Sequence, residues 1–445
     1  MKQEILNLIE TKDFKSLKAK LADMLVPDIA SLLEEIEEQA TVMLVFRLMP
    51  KDLSAEVFSY ISPEAQEVIV NYLSNSELSF IMEELATDDA VAFIEEMPAN
   101  LVEKALKVAT PETRKTINKF LSYEEDTAGA IMTPEFVNLN VDMTVEEAID
   151  EVRKQGEEAE TVNVLYVTDN KKVIKGVLTI KELILAKKDQ KIIDIAEDNV
   201  VYATTDMDQE KIATIFSKYD FLALPVLDKE KRIVGIVTVD DIIDVIKEET
   251  TEDFEKMAAV HTSDDTPYLK TSPFKLAARR FTWLGILLIT GIFTSMLITM
   301  YETTFASVSA LVCLLPMLMG TGGNCGTQIS TIVIRALSTR ELALKDYAKV
   351  FFKEFLVSLI LGLLLAIIAF CAVTIQYSNW LLGFAIAIPL MVVVFVADFL
   401  GFTLPILAKR FKLDPALIAT PILTTLLDCC VVFVYFNFAS WILSL

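Results

Sequence analysis

Three rhythms of apolar and polar positions divide this chain. Through about residue 125, short stretches such as VPDIASLLEEI, PKDLSAEVFSYI, SPEAQEVIVNYL, TDDAVAFIEEMP and PANLVEKALKVA place Leu, Ile and Val at helical spacing behind polar or proline starts. They predict an N-terminal α-helical superhelical domain over 1–125, with irregular spacing between its helices. From about Ile131 the rhythm becomes strand-like and occurs twice. VLYVTDNKKVIKGVLTIKELI is echoed by ALPVLDKEKRIVGIVTVDDII, with Asp169 and Gly176 matching Asp228 and Gly235 at the same offset. Each copy reads as strand, polar turn, strand and helix, giving α/β modules over 126–190 and 191–248. The third rhythm is the charge-free run. Thr282–Tyr301, Ser307–Ile334, Phe355–Ile375, Trp380–Leu407 and the Asp428 segment within Pro415–Leu445 predict a five-helix transmembrane domain over 273–445, since a span needs about 20 apolar residues. The glycines of the second run predict an interrupted helix.

Charge follows the same division. From Pro273 onward eleven Lys and Arg face seven acids, a net of +4, so the total of −23 leaves −27 on residues 1–272. That excludes nucleic acid as a partner and makes cations the natural counter-species. Lys and Arg gather before the first run, between the second and third, and between the fourth and fifth. This places the chain in a cell membrane with residues 1–272 in the cytoplasm and the C-terminus outside. All five cysteines lie in the apolar half, so the polar half holds no disulfide framework and no Cys/His zinc site. No basic start followed by an apolar stretch opens the chain, which predicts no cleaved signal peptide.

The chemistry lies in a few polar residues. Asp428 is the one charged side chain of PILTTLLDCCVVFVYF, and a carboxylate at the centre of a span costs roughly 2.5–3.5 kcal/mol on insertion scales, so it faces a polar path or a partner. In PMLMGTGGNCGTQISTIVIRAL, Gly320, Gly322, Gly323 and Gly326 crowd around Asn324 and Gln328. Close helix packing and a pathway-lining role both account for that composition. The stretch DDIIDVIKEETTEDFEKMAAV places Asp241, Asp244 and Glu248 on one face and Glu249, Glu252 and Asp253 at the next turns. It is either a solvated acidic face or an array that divalent cations relieve, with Asp220 and Glu210 close by in sequence.

The repeated modules resemble a tandem pair of CBS domains. Their Gly-x-x-Thr-x-x-Asp signature stands as Gly235, Thr238 and Asp241 in the second copy and departs to Gly176, Thr179 and Glu182 in the first. The resemblance implies an adenosine nucleotide such as ATP, with Thr238, Asp241, Phe221 and Lys181 as candidate contacts. The whole chain resembles MgtE-type magnesium channels. The motifs are Gly323-Asn324-x-Gly326-x-Gln328, Gly401-x-x-Leu404-Pro405, Asp414-Pro415-Ala416 and Pro421-x-x-Thr424-Thr425-x-x-Asp428. That resemblance implies Mg2+ as both cargo and regulator, a homodimer with its pore between subunits, and Asp428 holding a hydrated Mg2+. Thr424 and Asp414 join it as metal-site residues, and Gly323, Asn324 and Gln328 line the pore. A connecting plug helix over about 240–265, within a linker segment 240–272, closes the cytosolic mouth. The regulatory metal sites fall on Glu56 and Asp88 in the helical domain and on Glu210, Asp220, Asp241, Asp244, Glu249, Glu252 and Asp253 beyond it. Two departures stand out: Cys325 replaces a small residue, and Ala92 replaces an acid, which weakens metal binding between the helical domain and the CBS pair.

Two other classes compete. Asp398 and Asp428 are candidates for an intramembrane aspartyl protease dyad, but the glycine-flanked aspartate signature of that group is missing from VADFLG and LLDCCV. A proton- or sodium-coupled cation carrier would use Asp398 as its coupling acid; otherwise Asp398 hydrogen-bonds within the bundle. Soluble enzyme chemistry has no support, because the one histidine, His261, has no Ser or Cys partner motif and belongs to the connecting helix.

Overall fold

The structure is a computed structural model that describes residues 2–260, 271–305, 308–339, 341–416 and 421–444. His261 and the rest of 261–270 lie outside the described residues. The chain divides into two compact units, 1–248 and 249–445.

The first unit opens with ten short helices between Lys2 and Phe120. From Lys51 onward their starts recur every twelve residues, at Lys51, Pro63, Asn75, Thr87, Ala99 and Pro111, which corrects the irregular spacing expected from the sequence. The period is hidden because the residue opening each helix varies. Its constant mark is the apolar residue that ends each helix in extended backbone: Met49, Ile61, Leu73, Leu85, Met97 and Ala109. A ten-residue helix and two extended residues turn the chain so that alternate helices pack, the fifth on the third and seventh, the ninth on the seventh. Phe46 and Phe58, one period apart, meet edge to face at 6.5 Å, and Phe58 meets Phe93 at 5.3 Å.

Two three-stranded sheets follow. The first holds β1 (Phe136–Asn140), β2 (Thr161–Thr168) and β3 (Ile174–Thr179); the second holds β4 (Ala203–Thr204), β5 (Ala223–Leu227) and β6 (Ile233–Thr238). In each, the outer pair is parallel then antiparallel in chain order. The two hairpin turns are built alike. The Asp169 carboxylate accepts from the amides of Lys171 and Val173, and the Asp228 carboxylate from those of Glu230 and Arg232, with Lys172 and Lys231 both at φ 61°. Gly235 has a reason to be glycine: a Cβ there would stand 2.8 Å from the carbonyl oxygen of Thr133, whose segment pairs with β6.

The helical domain and the second module share one apolar core, in which Ile5, Phe58 and Phe93 are continuous with Ile212, Phe216, Val226 and Val237. The first module keeps its own core around Val137, Leu165 and Leu178. After β6 the helix Val239–Met257 begins at once. It stops short of the expected residue 265, turning at Ala259, which has φ 52°.

In the second unit, among the described residues, five helices are long and apolar enough to cross a membrane. They are Pro273–Phe305, Ser309–Ser338, Tyr347–Tyr377, Trp380–Arg410 and Pro421–Leu443. Most run past the apolar stretches that announced them into flanking polar residues. The second is continuous, so its glycines do not break it, contrary to the sequence expectation. The fourth is the hub, packed on the second, third and fifth. The first packs mainly on the fifth, where Thr294 and Cys429 approach to 3.3 Å and Tyr301 stacks on Phe436.

Phe58→Ala should cost about 3–5 kcal/mol, because its fully buried ring joins successive helical repeats. Chemical denaturation followed by circular dichroism measures that loss.

Candidate functional site

The second spanning helix carries two faces with different jobs. Pro316, Gly320, Asn324 and Gln328 recur every four residues and are exposed, while Leu318, Gly322, Gly326, Ile329 and Val333 are buried. The glycines divide between these faces. A Cβ on Gly322 would meet Val393 at 2.9 Å and Val431 at 3.0 Å, and one on Gly326 would collide with Leu427 of the fifth helix. Across from them, a Cβ on Gly401 would stand 2.6 Å from the Gly326 carbonyl oxygen. Gly326 and Gly401 therefore mark the crossing of the second and fourth helices. Gly320 faces open space, and at Gly323 the nearest atom is the Thr424 methyl at 3.9 Å. The glycine run therefore packs against neighbouring helices on one face and borders a cavity on the other.

That open face and the fifth helix wall a cavity of about 1030 Å3. Gly323, Asn324, Thr327, Gln328, Thr424 and Asp428 contribute to its lining, with Asp428 half-buried. Amide, hydroxyl and carboxylate oxygens on one wall make an oxygen-donor set, the kind that hard divalent cations take while keeping most of their water. Asp414 lies elsewhere. Its Oδ1 accepts from the Ala416 amide at 2.8 Å, and its Oδ2 accepts from the Lys256 ammonium at 2.8 Å. Lys256 also pairs with Glu252 at 2.6 Å. Burial, followed by the nearby Asp414 carboxylate, pushes Asp253 above the usual range, with Glu249 and Glu252 adding to it. Lys256, which the sequence reading did not single out, thus joins Glu252 to Asp414, with Asp253 beside them.

The first unit has an acidic convergence of its own. Burial and the Asp241 carboxylate hold Asp88 well above the ordinary carboxylate range. Burial and Asp241 raise its neighbour Asp89 to about 6. Glu160, just before β2, is raised by burial and by Asp240 and Asp241. Asp241 is itself raised by burial, although its Oδ2 accepts from the Thr238 hydroxyl. Asp89 and Glu160 were missed: one hides beside Asp88, and nothing local marks the other. Glu135 stitches the same region, accepting from Thr87 and from Thr133.

The remaining expected residues are more scattered. Asp244 pairs with Lys247 at 2.6 Å. Glu210 and Asp220 stand at opposite ends of the helix Gln209–Tyr219, about 15 Å apart along its axis, with Asp220 in the left-handed region at φ 54°. Glu56 is exposed on its helix, and its carbonyl oxygen accepts from the Ser59 hydroxyl at 3.0 Å. Ala92 is exposed one turn beyond Asp88 and Asp89. Among the described residues no three His, Cys, Asp or Glu side chains group closely enough to hold a metal ion by themselves. Of the candidate nucleotide contacts, Phe221 stacks on Tyr219 at 5.2 Å, and Lys181 is exposed after β3. In the first module Glu182 folds back to cap its own helix through Thr179.

Comparison with known proteins places these features. Residues 2–126 match the model of the MgtE intracellular N domain, 128–189 and 192–248 match CBS domains, and 315–438 match the MgtE divalent cation transporter model. The magnesium transporter MgtE of Thermus thermophilus is 38% identical over 440 residues, 98% of this chain and 97% of the relative. That of Bacillus subtilis is 33% identical over 432 residues, covering 94% and 95%. The crystal structure of the cytosolic domain of the Mg2+ channel MgtE in complex with ATP is 36% identical with a TM-score of 0.53, covering 55% of this chain and all of that one.

Two predictions follow from the geometry. Gly401→Ala should destabilise the spanning bundle by about 1–3 kcal/mol through overpacking, whereas Gly320→Ala should leave stability unchanged or slightly raised; thermal unfolding in detergent compares them. A carboxylate with a raised folded-state pKa holds its proton more tightly when folded, so without metal the protein should lose stability as pH climbs from about 4 to about 6. Calorimetry in a chelator would expose the loss, and added Mg2+ should reverse it above that window.

Proposed function

The chain belongs to the MgtE family of divalent cation transporters, a magnesium transporter family, and on that premise we propose that it is a Mg2+-selective channel for magnesium uptake, gated by intracellular Mg2+. The observation that carries the reading is the cavity in which Asp428 meets Asn324, Gln328, Thr424 and the bare backbone of Gly323. Mg2+ gives up its water reluctantly, so a wall with one carboxylate and several neutral oxygens suits it better than a closed cage. The polar stripe from Gly320 to Gln328 is exposed on a single copy, and lipid cannot satisfy it. A second copy of the chain across that stripe forms a homodimer with two Asp428 carboxylates on the ion path.

The gating acids are those whose mutual repulsion burial makes costly. Asp88 and Asp89 converge on Asp240, Asp241 and Glu160 in the first unit, while Glu249, Glu252 and Asp253 gather near Asp414 in the second. Hydrated Mg2+ shared among them at high concentration neutralises the repulsion and holds the helix Val239–Met257 as the plug; at low concentration repulsion releases it. Where Ala92 removes one acid from the helical domain, Asp89 and Glu160 supply others. The N-terminal and CBS domains lie in the cytosol and the C-terminus outside. The CBS pair binds ATP through Thr238, Asp241, Phe221 and Lys181, a reading supported by the relative solved with ATP.

Proteoliposomes holding a magnesium-sensitive dye, with no proton or sodium gradient, test this reading. Uptake should follow the electrochemical gradient, stop as Mg2+ on the cytosolic face rises, and fall at least tenfold in Asp428→Asn. Uptake that waits for an imposed proton or sodium gradient would sink the channel in favour of a coupled carrier.

A further inference from the structure

Asp398 plays no part in the cavity of Asp428. Sitting well inside the fourth spanning helix, it is only 5% exposed, and its Oδ2 has no hydrogen-bond partner. It borders a void between the third and fourth helices whose other polar walls are Glu354 and Ser358. Five phenylalanines close the rest, with Phe355 and Phe395 edge to face at 5.7 Å and Phe399 and Phe402 at 5.6 Å. No wall residue is shared with the magnesium cavity. The Ser358 hydroxyl donates to the Phe355 carbonyl oxygen at 3.0 Å, which leaves its own lone pairs for another partner. Cys325 on the second helix also lies near Asp398, and Lys353 lies beside Glu354 on the third.

Two carboxyl groups enclosed by aromatic rings cannot both stay bare, because their repulsion is strong where water is excluded. The void admits no water molecule, which rules out hydrated Mg2+ and any ion that must keep its shell. What fits is one small positive charge without water. We propose that Glu354, Ser358 and Asp398 form a second cation site, selective for a monovalent ion, which takes a proton or a dehydrated sodium ion and ties the third helix to the fourth. The unpartnered Oδ2 of Asp398 is its principal ligand atom.

The site is tested on the full-length protein in detergent, saturated with Mg2+ so that the cytosolic acids are silent. Thermal unfolding is followed in sodium against choline at constant ionic strength, and across pH in choline. A sodium site raises Tm by several degrees as sodium increases, in proportion to its logarithm. A proton site instead lowers Tm as pH rises, because the bound proton is lost. In either case Asp398→Asn, which keeps the shape and removes the charge, should abolish that response. Glu354→Gln should at least halve it, and serves if the first variant fails to fold. A wild-type Tm flat in both sodium and pH overturns the site, as does a variant that keeps the full wild-type response. Neither readout depends on magnesium transport.

Discussion

Like charges brought together under burial are the constraint on which this molecule turns. Carboxylates repel one another more strongly where water is thin, and the first unit draws Asp88, Asp89, Glu160, Asp240 and Asp241 into mutual range. The second unit answers part of its own excess with Lys256, whose ammonium sits between Glu252 and Asp414. Asp253 stands beside them, so one lysine does not balance the acids gathered there. Such an arrangement favours cations near these acids, and the proposed sensing role rests on that.

Packing joins the elements that carry the acidic sites of the first unit. The helical domain and the second α/β module are cemented by one continuous apolar core, with the first module built on a core of its own. Glu135 adds a polar stitch between Thr87, next to Asp88, and Thr133, whose backbone pairs with β6. The acidic helix starts where β6 ends, so the strand that Thr133 pairs with is the strand that launches the helix. Change at the acids is thereby tied to that helix through backbone, without any long flexible connection.

Among the spanning helices the same economy appears in the use of glycine. Gly326 and Gly401 let the second and fourth helices approach until backbone meets backbone, and Gly322 and Gly326 admit Val431 and Leu427 of the fifth, which leaves little room for polar side chains on that face of the second helix. Asn324 and Gln328 are thus turned outward with Gly320 and Gly323, beside Thr424 and Asp428. Asp398 is the polar residue this division leaves over, enclosed between the third and fourth helices with Glu354.

The sequence by itself determined the element types, the duplicated α/β module, the five spans and the family, because amphipathic period, turn chemistry and apolar run length are local properties. Asp428, Asn324 and Gln328 were legible because a polar residue inside an apolar run announces itself, and Thr424 came from the family's motif. The twelve-residue helical period was present but unread, since its constant mark is an extended apolar residue and not the variable helix start. Tertiary structure alone decided which glycines pack and which face the cavity, since that depends on what lies across from each one. It alone brought Glu160 beside Asp88 and Asp241, set Lys256 between Glu252 and Asp414, and shut Asp398 away with Glu354. Apart from Lys256 and Glu252, one helical turn apart, those pairings join residues 44 to 158 positions apart, and charge between distant segments is settled by where packing places them.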